Sequence, residues 1–448
     1  EEPAMPGPRV VPVQGDEQLP ERVDVVVIGG GIVGASTALE LAERGLKVAL
    51  CEKGGIGHEQ SSRNWGWVRI SRRDPRELPL MAHALNLWGD LAARIGKDVG
   101  YTRAGILFTC ADDQSYAEHE RWKANLDDYP VRGRMLSGTD LSAVLPGAER
   151  LRIKGALYTP DDGRAEPQQA APAIAEAART KGAMIFTECA VRGVERAAGR
   201  VSGVITERGA IACTSVVLAG GAWSSLFCSP LKVHLPQLKV LNSVIRTTPL
   251  QGGPESAIWA MDFAVRKRQD GGYTVASGHE NIADIVPDSF RYARQFWPAL
   301  QQEHKSLSFR LGQRFFQEAV LPKRWALDEA SPFEYRRVLD PVPSIRQTNR
   351  ALASLTNGFP VFANARIAQR WGGMIDVTPD AVPVISAVDG VPGFFIATGF
   401  SGHGFGIGPA AGRLMANLVT GETPIVDPQA FRLSRFSDGS NPRPISGF

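Results

Sequence analysis

From residue 23 to residue 28 the chain is apolar at every position except Asp24. A run without alternation predicts a strand buried on both faces of a parallel sheet. Gly29, Gly31 and Gly34 follow as G-x-G-x-x-G. Apolar residues then return at helical spacing (Val33, Ala38, Leu41, Ala42), and Gly45 is placed to end the helix. A second strand, residues 47–51, delivers Glu52. The same order of elements recurs late in the chain. Residues 394–397 read as a buried strand, a glycine-rich turn spans 399–408, and Pro409 suits the first turn of a helix running to about residue 419. Between these units the pattern predicts helices at 79–95 and 168–181, a strand at 183–188, a hairpin-like pair at 190–195 and 201–207, and a buried strand at 215–219. Residues 231–345 change character, with strand-like segments (237–247, 273–277) and an aromatic helical one (289–297). Residues 350–365 read as a helical stretch carrying the chain back.

These elements predict an α/β chain: a doubly wound, Rossmann-like dinucleotide-binding domain with a second, β-rich α+β domain for substrate. The first domain is expected in three parts, 23–90, 151–230 and 346–448, the last including a C-terminal tail. The second takes 91–150 as a cap segment and 231–345 as its main body. Residues 1–22, rich in proline and charge, read as an arm or linker.

Composition narrows the function little. The chain has 448 residues, enough for two domains, with 43% apolar and 22% charged residues. Fifty basic residues against 47 acidic ones leave a net charge of +3 and give no case for nucleic acid. No run of about 18 apolar residues is present, so no membrane segment is expected. The five cysteines are scattered without C-x-x-C spacing. They read as reduced thiols, which points to a cytoplasmic location, and no metal site is expected.

The glycines have distinct tasks. Gly29 permits the tight turn, Gly31 admits a pyrophosphate against the backbone, and Gly34 lets helix and strand pack closely. The helix N-terminus at Ile32 and Val33 favours the phosphates. Glu52, about 20 residues beyond Gly31, suits the ribose hydroxyls. The motif alone does not separate FAD from NAD. The glycine- and arginine-rich loop after Glu52 and Lys53 passes near the cofactor, so Ser61, Ser62, Arg63, Asn64, Trp65, Gly66 and Trp67 are expected around it. So are Ala190 and Val191, Ala219, Gly220, Gly221 and Trp223, and Gly373. In the second glycine segment, Gly402, His403, Gly404, Phe405, Gly406 and Ile407 open a helix whose N-terminus would stabilise negative charge on a reduced flavin. His403 either faces the flavin or satisfies loop backbone groups. A single G-x-G-x-x-G that holds FAD leaves no second site for NAD, so electrons pass to oxygen, a quinone or a protein acceptor.

GHEQSSR at 57–63, DDGRAEP at 161–167, CAVRGVE at 189–195, VVLAGGAWSSLF at 216–227 and GPAAG at 408–412 resemble the FAD-dependent D-amino acid oxidase superfamily. Members include glycine oxidase, sarcosine oxidase and D-amino acid dehydrogenases, and within it the chain resembles bacterial L-amino acid deaminases. The resemblance covers most of residues 23–433. It implies non-covalent FAD and oxidation of a carbon–nitrogen bond, with the substrate hydrogen passing formally as hydride to the flavin and water hydrolysing the imine. An α-amino acid giving a 2-oxo acid and ammonia is the leading expectation. Secondary amines, 2-hydroxy acids and a non-catalytic flavoprotein subunit are the alternatives, and a homo-oligomer is left open. The deaminases carry a carboxylate-binding arginine where this chain has residues 277–279, and a tryptophan where it has His403. GWVRISR instead matches the G-x-x-R-x-x-R of sarcosine oxidases. By that resemblance Arg69 sits by the flavin and Arg72 binds a substrate carboxylate, and with His403 they are the candidate catalytic residues. Trp67, Arg72, Arg336, Trp371 and His403 are the candidate substrate contacts. An alternative is that Arg69, Arg72, Arg73 and Arg76 form a solvated basic face.

Sarcosine-type relatives tether their flavin through a cysteine. Gly373 stands at that place here, and no cysteine follows Cys228. Acid precipitation is expected to release the yellow colour into the supernatant; colour retained in the pellet would contradict non-covalent binding.

Overall fold

The computed structural model describes residues 7–445. In the first sheet β1 (Val25–Ile28), β2 (Val48–Cys51), β3 (Met184–Phe186), β4 (Ser215–Leu218), β5 (Val384–Ala387) and β6 (Phe394–Thr398) lie in the order β5-β6-β4-β1-β2-β3. All neighbours are parallel except β5 with β6. Every residue of β1 and β2 is buried, as their unbroken apolar runs require. β1 lies between β4 and β2, so the turn that follows it opens at the centre of the sheet.

Helix α1 (Ile32–Glu43) departs from the one-faced pattern. Residues 32–42 are all buried, because α1 is packed between α3 (Pro167–Thr180) and α4 (Gly404–Thr420), with α2 (Leu78–Ile95) lying against α4. Glu40 is therefore buried, and it is met by Arg44 (2.9 Å), Arg94 (2.7 Å) and Arg413 (3.1 Å). Burial pushes its carboxyl up, but the three arginines outweigh that and hold it below the usual range. The α1–α4 crossing is close enough that a Cβ on Gly412 would lie 2.6 Å from Ser36 Cβ and 2.7 Å from the Thr37 amide nitrogen.

The second sheet has ten strands. Its longest ladder pairs Leu238–Thr247 antiparallel with Ile367–Val377 along nearly its whole length. The expected boundaries move in two places. Gly155–Thr159, assigned to the dinucleotide domain, pairs with Ile106–Cys110 in the second sheet. Ile367–Val377, likewise assigned to the dinucleotide domain, is held there by its ladder to Leu238–Thr247. The chain thus passes from the first sheet to the second, back, across again, and back once more. Residues 1–6 of the expected arm lie outside the described residues. Residues 7–22 follow the surface of the first domain, where Val11 N–H donates to Gln168 O (3.0 Å) and Arg179 pairs with Asp16 (2.9 Å).

Gly412→Leu is expected to lower stability by roughly 1–3 kcal/mol through overpacking at the α1–α4 crossing. Gly390→Ala, where an added Cβ meets nothing within 4 Å, should stay near wild type. Urea unfolding of both variants checks this, and equal stabilities would show that the crossing relaxes freely.

Candidate active site

A cavity of about 470 Å³ runs between the two sheets. At one end lies the β1–α1 turn. Gly29 adopts φ +105°, and a Cβ there would stand 2.3 Å from Ala219 O. A Cβ on Gly34 would lie 1.9 Å from Gly29 O, so this glycine packs helix on strand. Glu52 Oε2 accepts from the Gly30 amide (2.7 Å), and Oε1 accepts from the Gly54 amide (2.7 Å). Burial raises the pKa of Glu52 against the opposing pull of Lys53 and those two amides. Ser61 Oγ accepts from Ile32 N–H (2.8 Å), meeting one of the free amides of the α1 N-terminus. Gly31, Gly220 and Gly221 leave this end of the wall without side chains. Bare amides, a helix N-terminus and a half-buried carboxylate fit the adenosine pyrophosphate half of a dinucleotide.

The other end is built by the N-terminus of α4 and the loop 66–77. Gly402, His403, Gly404, Phe405 and Gly406 line the cavity. The loop is held from beneath by Asp162, which accepts from the Ile70 amide (2.7 Å), the Ser71 amide (3.3 Å) and the Ser71 hydroxyl. Burial pushes Asp162 up to about 6. Arg73 is buried and joins this loop to α4: it donates to Arg69 O (2.7 Å) and His403 O (2.9 Å) and pairs with Glu77 (3.3 Å). Arg69 is driven down to about 9 by burial and then by Arg73, and it lies 5.4 Å over the Phe108 ring. His403 is buried, which lowers its pKa, and its Nδ1 stands 3.8 Å from Glu77. Arg72 differs from its neighbours. It has φ +57°, lines the cavity, and meets no hydrogen-bond or ion-pair partner among the described residues. Arg73 is thus buried and Arg69 half-buried on the cavity wall, rather than both lying on a solvated basic face.

An aromatic wall joins the two domains. Trp65 meets Trp67 edge-on at 5.2 Å, Trp67 meets Phe108 at 6.2 Å, and Phe108 stacks with Trp259 at 5.6 Å. His119 completes it. Its Nδ1 donates to Ser115 O (2.8 Å), which leaves Nε2 as a bare acceptor without a partner among the described residues. Burial, helped by the charge of Arg72, lowers its pKa to about 4, so the ring is neutral.

Most of the expected cofactor residues line this cavity. Five stand behind it. Gly34 packs on Gly29. The Ser62 hydroxyl donates to Glu59 O (3.2 Å). Gly66 is pressed against Ala165 O and Arg266. The Ala190 amide donates to Glu207 (2.7 Å). Ile407 is buried in the α4 interior. Two expected substrate contacts are displaced. Arg336 is exposed, and among the described residues only its carbonyl oxygen is used, by Lys53 (3.2 Å). Trp371 is buried behind Trp65 with its indole N–H on Arg63 O (3.0 Å). Sequence reasoning missed Phe108, His119, Asn242, Trp259, Asn281 and Asp376. Asn242 carried a signal as a lone amide inside an apolar strand, and Asp376 lies three residues beyond Gly373; the other four arrive from segments without a motif.

Two helix N-termini, a ribose-type carboxylate and a cationic loop on one cavity define a flavin dinucleotide oxidoreductase. A family model described as FAD dependent oxidoreductase matches residues 24–418, and the chain belongs to that family. Its cofactor is FAD. A 4-methylaminobutanoate oxidase (formaldehyde-forming) of Paenarthrobacter nicotinovorans is 28% identical over 95% of this chain and 47% of its own length. The chain thus spans about half of that relative. Sarcosine oxidase subunit beta of Rhizobium meliloti (strain 1021) is 25% identical over 93% of this chain and 89% of its own. The L-amino acid deaminase of Proteus myxofaciens, solved in complex with anthranilate, superposes with a TM-score of 0.92 at 36% identity, covering 96% of this chain and 97% of that one. Among the described residues no helix is long and apolar enough to cross a membrane.

Glu52→Ala is expected to weaken FAD binding by about 10- to 100-fold, the loss of a charge-assisted hydrogen-bond pair worth roughly 1.5–3 kcal/mol. Titration of apoprotein with FAD, followed by fluorescence quenching, measures it. Unaltered affinity would remove Glu52 from the site.

Proposed function

We propose that the chain oxidises the C–N bond of an α-amino acid to an imine, which water converts to a 2-oxo acid and ammonia. The observation that carries this reading is Arg72, a half-buried cavity guanidinium with no hydrogen-bond or ion-pair partner among the described residues, held in a strained backbone conformation. A planar, permanently charged fork in such a place suits a carboxylate. The likeness to L-amino acid deaminases supports it. FAD, when bound, supplies the acceptor for the hydride leaving the substrate carbon.

The protein's own groups position and exclude. Arg72 holds the carboxylate. The Trp67–Phe108–Trp259 wall covers the substrate side chain and keeps water from the reacting carbon. Neutral His119 adds no second positive charge beside the substrate amine. A secondary amine is the second reading. It is favoured by the G-x-x-R-x-x-R spacing and by the names of two relatives, a methylaminobutanoate oxidase and a sarcosine oxidase subunit. Release of ammonia or of an aldehyde separates the two. Electrons then pass to oxygen, a quinone or a protein. The five buried free cysteines support a reducing, cytoplasmic setting.

Arg72→Ala should raise KM for carboxylate substrates and cost roughly 2–4 kcal/mol in kcat/KM, with FAD content preserved. Arg72→Lys keeps the charge without the fork and should fall between. Steady-state kinetics with an amino acid panel checks the order, and wild-type KM in Arg72→Ala would remove the arginine from substrate binding.

A further inference from the structure

The chemistry of three side chains on the cavity wall fixes the direction of a hydrogen-bond relay. The Trp65 indole N–H lies 3.2 Å from Asn242 Oδ1, and Asn242 Nδ2 lies 2.9 Å from Asn281 Oδ1. An indole nitrogen only donates. Asn242 must therefore turn its oxygen toward Trp65 and its NH2 toward Asn281. Asn281 in turn must present its oxygen to Asn242, which leaves its own NH2 over. Among the described residues nothing accepts from that NH2. Asn242 and Asn281 are each only 8% exposed, and both line the cavity. The Glu303 carboxylate, which lines the same cavity, accepts from the Ser306 hydroxyl at Oε2 (2.8 Å) and makes no hydrogen bond with Asn281. The backbone holds the relay in register: Leu241 pairs with Ile282, and Asn242 stands opposite Gly373, where a Cβ would lie 3.2 Å from Arg63 Cβ.

We infer that Asn281 donates its amide N–H groups to an oxygen acceptor of the bound substrate, and that Trp65 and Asn242 are positioning residues that lock this polarity. The inference rests on the amino acid reading and deepens it, because it adds a second recognition point on the other domain from Arg72. Such a site favours a substrate with a carboxylate or carbonyl oxygen at this wall. It disfavours one that offers only a donor, since the cavity-facing N–H groups then go unpaired once the substrate has displaced water.

The test uses FAD-loaded enzyme, with benzoate and benzamide as non-reacting probes titrated through the flavin absorbance shift. Benzoate offers a charged oxygen, and benzamide an uncharged one that does not depend on Arg72. Asn281→Asp exchanges donors for acceptors and should weaken at least one probe tenfold or more, with Asn281→Ala weakening it about threefold. Asn242→Asp leaves Asn281 in place but removes the donor it faces, so the Asn281 amide must turn over. It should reproduce the loss seen with Asn281→Asp, whereas Asn242→Leu, which frees the amide to rotate, should lose less. Loss confined to benzoate assigns the acceptor to a carboxylate; loss of both assigns it to any carbonyl-type oxygen. Wild-type affinity for both probes in Asn281→Asp, at unchanged flavin content, overturns the inference. Unchanged benzoate binding in Arg72→Ala would instead count against the proposed function and leave the Asn281 result to stand by itself.

Discussion

The Arg73 guanidinium is held out of water within the loop that also carries Arg69 and Arg72, and the site depends on how that is made tolerable. Removing a charge from water costs several kcal/mol unless partners are close and well oriented. Here Glu77 lies against Arg73, and Asp162 grips the backbone of residues 70–71 from below. Arg73 spends its remaining donors on the carbonyls of Arg69 and His403. The loop and the N-terminus of α4 are therefore one construction. Arg72, on the same loop, is the guanidinium these carboxylates leave to the cavity.

The dinucleotide half was legible because its constraints are local. A buried parallel strand needs an unbroken apolar run, a pyrophosphate turn needs glycine, and the ribose carboxylate follows at a fixed distance. Residues 25–52 carry all three. DDGRAEP was recognisable as a motif, yet the work of Asp162 was not, since its partners at 70 and 71 are remote in sequence. The domain boundaries slipped for a related reason. Nothing in residues 367–377 says which sheet they join; the ladder to Leu238–Thr247 decides it. Arg336 and Trp371 had suitable chemistry but faced solvent and core. His119 and Asn281 sat in segments without any pattern.

The α1–α4 contact links these halves. Gly408 and Gly412 let α4 approach Ile32 and Ser36 closely. As a result the two helix N-termini, one at Ile32 and the other at Gly404, open on the same cavity. Each brings unpaired amides and the positive end of a dipole. A long cofactor that is anionic at its pyrophosphate, and becomes anionic at its ring on reduction, meets a suitable field at both places.

The way the chain shuttles between the two sheets has a consequence for how the protein forms and diversifies. Neither sheet is complete until distant segments have been brought together, so native contacts are largely non-local and the transition state must close long loops. The half built on the second sheet cannot be lifted out as a cassette, because its strands come from two stretches of chain separated by strands of the first sheet. New specificities on this scaffold must then arise by exchanging single side chains on the cavity wall rather than by swapping domains.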